Sequence, residues 1–211
     1  MRRTSGSGHT HTLIYFITGN PGLVGYYETF FDTITELLSD QPNKFTIYGE
    51  DLAGFGEASH EESKRKNPYG LMEQIDHVYD SMQSQISSSG EDPYHSLILI
   101  GHSVGSYILL EILQRLIEEQ DKLPRLKIHG GVLLFPTITH IAQSPSGLTL
   151  TRLLKIPRFE RAVQSFVRYS LACLPFSVLK SMVKVITGMP DDAASVTTRF
   201  LRSPMGVWQA L

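Results

Sequence analysis

A serine alcohol is a weak nucleophile until its surroundings present and activate it, and one serine in this chain is flanked for that purpose. Ser103 stands at the centre of Gly101-His102-Ser103-Val104-Gly105, a G-x-S-x-G pattern. Leu97-Ile98-Leu99-Ile100 leads in as a short apolar strand, and Tyr107 to Ile117 leads out with helical periodicity. A sharp strand-to-helix turn exposes the serine oxygen at its tip. Glycine at both flanks removes side chains that would collide with the neighbouring strand and helix. The helix then aims its unpaired N–H groups and positive dipole end at developing negative charge. That combination suits attack on an ester carbonyl.

An oxyanion hole needs the N–H after the nucleophile and a second N–H from a loop after an earlier strand. Val104 supplies the first. Gly19-Asn20-Pro21-Gly22 follows the apolar run Leu13–Ile17, and Asn20 is the candidate for the second. The same residues are also turn formers, so a plain turn is the competing reading. A base has to come within roughly 2.6–3.2 Å of the serine oxygen. His140, past the fourth strand, is the first substitute to consider, against its reading as a solvated loop histidine. His102 lies inside the elbow, where its side chain points away from the nucleophile. His77 sits on a helix and reads as a surface residue, and Asp191 and Asp192 read as helix-start residues.

The elements that must hold these residues alternate. Leu13–Ile17, Phe45–Tyr48, Leu97–Ile100 and Gly131–Phe135 are expected strands. Helical spacing recurs through Tyr26, Phe30, Ile34 and Leu37, through Leu71, Ile75, Val78 and Met82, and after the elbow. Such alternation implies an α/β fold with a mostly parallel sheet and helices on both faces. Asp51-Leu52-Ala53-Gly54-Phe55-Gly56 is a glycine-punctuated loop, and Glu57 to Asn67 is polar. From Gln143 onward the pattern changes to two or three short helices broken at Pro157, Pro175 and Pro190. The expected organisation is a core over residues 1–147, a basic amphipathic cap over 148–188, and the start of a helix over 189–211.

With 211 residues and 41% hydrophobic content the chain has enough material for one domain with a real core. A net charge of −2 gives no global basic field, so nucleic acid is not an expected partner. The single cysteine, Cys173, allows neither a disulfide within the chain nor a Cys-rich zinc site, and no cofactor or metal is expected. No apolar run approaches the roughly 18–20 residues of a membrane span. The charge is nevertheless uneven. Between Leu148 and Gly188, Arg152, Lys155, Arg158, Arg161, Arg168, Lys180 and Lys184 face only Glu160. Interleaved with Leu153, Phe159, Phe166, Leu179 and Val183, they make an amphipathic stretch suited to a lipid surface with anionic headgroups. The plainer reading is a helical cap with solvated basic residues.

Gly19-Asn20-Pro21-Gly22 with Tyr26, Tyr27 and Phe30, then Gly101 to Tyr107, then Leu134-Phe135-Pro136-Thr137-Ile138 and Ser144-Pro145-Ser146-Gly147 together resemble the lipid droplet-associated hydrolase family. The elbow is common to many hydrolases, whereas the Phe-Pro-Thr-Ile and Ser-Pro-Ser-Gly pair is the specific part. The resemblance implies an α/β-hydrolase fold with Ser103 as nucleophile. It also implies activity on neutral lipids such as sterol esters, at the lipid droplet or endoplasmic reticulum surface. Members of this family place the catalytic acid and histidine after two further strands, and those positions have no counterpart before Leu211. A sheet incomplete at its carboxyl-terminal edge and a truncated, poorly active chain are therefore expected. The competing expectations are a noncatalytic droplet-binding scaffold and a small-ester hydrolase or acyltransferase without a lipid-surface role.

Overall fold

His11–Ile17, seven residues all buried, forms the middle strand of a five-stranded sheet. The computed structural model describes residues 1–56, 65, 67–90, 92–119, 126–139, 143–171 and 174–210. Its strands are β1 (Arg2–Ser5), β2 (His11–Ile17), β3 (Lys44–Gly49), β4 (Ser96–His102) and β5 (Lys127–Leu134), in the order β1-β3-β2-β4-β5. β3, β2, β4 and β5 pair in parallel, and β1 joins β3 antiparallel. By contact the chain divides into two units, residues 1–53 with 70–138, and residues 54–69 with 139–211.

The first unit carries the sheet. Side chains alternate across its faces, as the period of a strand requires. Ile14, Phe16, Ile47 and Ile100 pack with Phe31 of helix α1 (Glu28–Leu37) on one face. On the other, Tyr15 donates to Ser81 of α2 (Leu71–Ser87) at 2.9 Å, and Leu109 of α3 (Val104–Glu118) presses against Gly131 of β5. α3 buries Ile108, Leu109, Ile112 and Leu116 completely, a stripe at helical spacing. Cutting Leu109 to alanine there would cost about 2–5 kcal/mol. The central strands β2 and β4 carry near-continuous apolar runs, Leu13–Ile17 and Leu97–Ile100, because both of their faces are covered.

Two features depart from the sequence expectation. β1 was not among the expected strands, because Arg2-Arg3-Thr4-Ser5 has no apolar alternation. Its ladder to β3 is supplemented by Arg3 bonding Asp32 (2.5 Å) and Glu28 (3.3 Å), and by a Thr4–Thr46 hydroxyl pair at 3.1 Å. β5 begins at Lys127 rather than Gly131, with a register shift opposite Leu97 and Ile98 and Gly130 at φ 132°. A bulge of this kind breaks the alternation by which a strand is recognised. In the described sheet β5 lies at the edge, with Val132 exposed.

Beyond residue 143 the described part of the second unit is mostly helical, with more helices than the expected two or three: α4 (Pro145–Leu154), α5 (Phe159–Phe166), α6 (Phe176–Thr187), α7 (Asp191–Leu201) and α8 (Pro204–Ala210). Ser144 caps α4 by accepting the Gly147 N–H at 3.0 Å. α5 runs on into a π-turn at Val167–Leu171, and Gly188 at φ 69° ends α6. α7 starts at Asp191 as expected, and this carboxylate pairs with Lys180 (2.5 Å) and Lys184 (2.9 Å) of α6. Those two lysines are thus committed to a partner within the unit. α6 buries Leu179 and Val183. Beside that stripe, Val178, Met182, Val185 and Ile186 stay exposed around an open apolar concavity of about 600 Å³. Phe55 stacks on Phe200, and Gln209 bonds both backbone polar groups of Tyr69. Among the described residues no helix is long and apolar enough to cross a membrane.

Candidate active site

Between β4 and α3 the backbone turns at Ser103 with φ 54° and ψ −122°. A serine at positive φ is strained, at a cost of about 1–3 kcal/mol, so the surrounding structure has to impose it. It does so from several sides. The Ser103 N–H donates to the Leu134 carbonyl at 2.9 Å, the Thr137 N–H donates to the Ser103 carbonyl at 3.2 Å, and the buried Ser106 hydroxyl donates to the Gly101 carbonyl at 2.8 Å. Ser103 itself is neither buried nor fully exposed.

The two flanking glycines have separate reasons. A β-carbon on Gly101 would lie 2.5 Å from the Gly105 carbonyl oxygen, inside the elbow itself. One on Gly105 would strike the carbonyl oxygens of Ile17 and Thr18, which belong to β2 and the residue after it. Gly105 is therefore the residue that lets α3 start against the end of β2.

That contact also brings the Gly19-Asn20-Pro21-Gly22 loop to the elbow. Ile17 pairs with Gly101 across the β2–β4 register, so both loops leave the sheet at one level. A β-carbon on Gly19 would sit 3.0 Å from Ser103 Cβ and 2.9 Å from His102 Nδ1. Tyr27 secures the arrangement, since its hydroxyl accepts the Gly19 N–H at 3.3 Å and lies 2.8 Å from His102 Nδ1. Burial pushes the Tyr27 hydroxyl above its ordinary range, so it stays protonated near neutrality. Asp51, two residues past the end of β3, accepts the Val24 N–H at 2.7 Å, and Leu52 N–H bonds the Gly22 carbonyl. The loop is thus held from β3 as well as from β4.

Val104 is the first residue of α3, so its N–H belongs to the group of four at a helix start that lack an intrahelical acceptor. Asn20 is exposed on the neighbouring loop, and its peptide bond to Pro21 is cis. The structure thereby brings Ser103, Val104, Gly101, Gly105 and the loop of Asn20 into one place. His102 engages Tyr27 and packs edge-on to the Phe135 ring. His77 is partly exposed, 3.4 Å from Glu50. His140 lies outside the described residues. Among those described, no histidine bonds the Ser103 hydroxyl; the side chain that does is Thr137, Oγ to Oγ 3.0 Å. No cluster of three or more His, Cys, Asp or Glu among them is arranged to hold a metal.

Sequence reasoning missed Tyr27 and Thr137 as neighbours of the site. Both lie in the segments that carry the resemblance, but nothing in their types or spacing marks them as touching the elbow.

The family described as lipid-droplet associated hydrolase matches residues 10–211 of the chain. The lipid droplet-associated hydrolase of Gallus gallus is 34% identical over 196 residues, which cover 88% of this chain and 55% of that protein. Its Homo sapiens counterpart is 32% identical over 153 residues, 67% of this chain and 42% of that one. The chain spans about half the length of the curated relatives it matches. Among solved structures, a marine microorganism esterase superposes with a TM-score of 0.51 at 14% identity, covering 95% of this chain and 61% of that one. At that identity the likeness bears on the fold, which is α/β-hydrolase.

Proposed function

Because the chain belongs to the lipid-droplet associated hydrolase family, we propose that it supplies the nucleophile of a serine hydrolase acting on ester bonds of neutral lipids, of the sterol ester or acylglycerol class. Ser103 Oγ attacks the ester carbonyl carbon, and its proton passes to a base. The tetrahedral oxyanion is held by the Val104 and Asn20 N–H groups, and the alcohol departs with a proton to leave an acyl-Ser103 ester. Water then releases the fatty acid. The observation that carries this reading is Ser103 at φ 54° on a partly exposed turn between β4 and α3. Each oxyanion donor of this kind typically contributes on the order of 100–1,000-fold in rate.

The base is the weak part of the machinery. In the family's pattern the acid and histidine follow two further strands, and among the described residues Ser103 meets a threonine instead. His140 is the substitute we put forward. Removing a triad histidine costs on the order of a million-fold in turnover, and the oxyanion hole and binding groove together retain roughly 1,000–10,000-fold over water. A Ser103 hydroxyl whose partner is a threonine rather than a base should acylate slowly.

The surface role falls to residues 148–188, which we place at a lipid droplet or endoplasmic reticulum surface. The exposed apolar side of α6 supports it. That same face favours a second reading, a noncatalytic droplet-binding scaffold that keeps the hydrolase fold. A fluorophosphonate probe separates the two. A covalent adduct on Ser103, absent from Ser103→Ala, supports the enzyme. A chain that floats with triolein droplets but leaves Ser103 unmodified after prolonged exposure supports the scaffold.

A further inference from the structure

The turn after β5 grips Ser103 at three points. The Leu134 carbonyl accepts its N–H at 2.9 Å, the Thr137 N–H reaches its carbonyl at 3.2 Å, and the Thr137 hydroxyl lies 3.0 Å from its Oγ. The two backbone bonds fix where Leu134 and Thr137 stand, three residues apart, on the N–H and the C=O of the one residue Ser103. Phe135 and Pro136 must span that gap as a bulge, and Phe135 is driven to φ 46° with 84% of its surface in solvent. A bulky residue at positive φ is an outlier, and here the ends of the turn account for it. The strain is the cost of bringing Thr137 to the elbow.

From this geometry we infer that Thr137 is a positioning residue for Ser103, an inference that rests on Ser103 being the nucleophile proposed above. A serine side chain on a partly exposed turn has three staggered wells open to it. The Thr137 hydroxyl selects one of them. Threonine suits the task because its branched β-carbon holds its own χ1, so Oγ1 is a fixed partner rather than a mobile one. Its backbone is anchored to the same residue that its side chain touches, which ties the two hydroxyls to one frame. Either hydroxyl can donate in the pair, and the selection of the rotamer does not depend on which one does. Thr137 needs no contact with substrate. It acts by keeping Oγ where the Val104 and Asn20 amides expect the reacting carbon.

Thr137→Val keeps the shape and removes the hydroxyl, whereas Thr137→Ser keeps the hydroxyl. Two measurements on the full chain decide the matter: the second-order rate of fluorophosphonate adduct formation on Ser103, and the Ser103 χ1 distribution from Hα–Hβ couplings. Spreading one rotamer over three wells and losing one hydrogen bond gives about a three- to tenfold slower adduct in Thr137→Val, with averaged couplings. Thr137→Ser keeps the hydroxyl but frees its own χ1, so it should label no more than about twofold slower than the parent with one Ser103 rotamer still dominant. Thr137→Val labelling as fast as the parent, or retaining one χ1 well, overturns the inference. An unmodified Ser103 in all three proteins overturns the nucleophile reading, and the inference with it.

Discussion

The carbonyl oxygen of Thr18 occupies the space that a β-carbon on Gly105 would need. One strand end and one helix start are therefore in backbone contact, and no flexible side chain lies between them to give way.

Gly105→Ala should lower stability by about 1–3 kcal/mol, the usual range for overpacking a filled site. Because the obstacle is backbone, the variant should also separate the Gly19 loop from Ser103 and slow adduct formation. Urea unfolding and probe labelling check the two effects. Gly70→Ala, where the nearest atom is a glutamate oxygen 3.7 Å away, should leave labelling unchanged.

Ser103→Gly should be more stable than Ser103→Ala by about 1 kcal/mol, since glycine accepts φ 54° without strain but gives back part of the gain in chain entropy. Both variants lose the nucleophile. Equal melting temperatures for the two would show that the turn is not strained.

Phe135→Asn is expected to stabilise by about 0.5–1 kcal/mol, because asparagine tolerates positive φ and the phenyl ring is already largely in solvent. The comparison is with Phe135→Ala, which removes the ring without easing the backbone. Thermal unfolding of the pair is the measurement.

His11 offers a pH test. Its ring is buried against Tyr94, bonds Thr46 at 2.8 Å, and lies 3.1 Å from Asp92, which also binds Lys44. Desolvation lowers its pKa below the ordinary 6.5, and the attraction of Asp92 offsets this only in part. The unfolded chain therefore binds a proton more readily than the folded one. Its contribution to stability is present above about pH 6.5 and is lost as pH falls through the lowered folded value. His11→Gln should flatten the pH dependence of unfolding free energy in that acid range. An unchanged slope would refute the assignment.

Val185 and Ile186 are 85% and 76% exposed. Replacing both with glutamate should leave folding intact and weaken binding to triolein droplets at least tenfold, since each side chain is worth about 1.5–3 kcal/mol on burial. Flotation assays read this directly, and equal flotation would remove α6 from the lipid surface.

The sheet and the elbow were legible in the sequence because both are written in short-range pattern. Four apolar residues precede Gly101, and a helical stripe follows Gly105. β1 was not legible, since its place depends on Arg3 meeting Asp32 and on Thr4 meeting Thr46, contacts made across long stretches of chain. The start of β5 was hidden by its bulge. Thr137 and Tyr27 escaped for the same reason as β1, because their partners lie 34 and 75 residues away. The basic character of 148–188 was visible, but the claim of Asp191 on both Lys180 and Lys184 was not, because that carboxylate lies beyond the segment's end.

Strands can slide past one another only in whole residues, and an odd slip turns every side chain to the wrong face. The pairing of Ile17 with Gly101 therefore makes the gap between the two loops a discrete quantity, whose next allowed value is about two residues, or roughly 6.6 Å, away. Gradual drift by small substitutions elsewhere in the sheet cannot detune it. Substitutions in the loops can crowd the glycines that meet across them, but the separation of the two loops is inherited unchanged from the sheet.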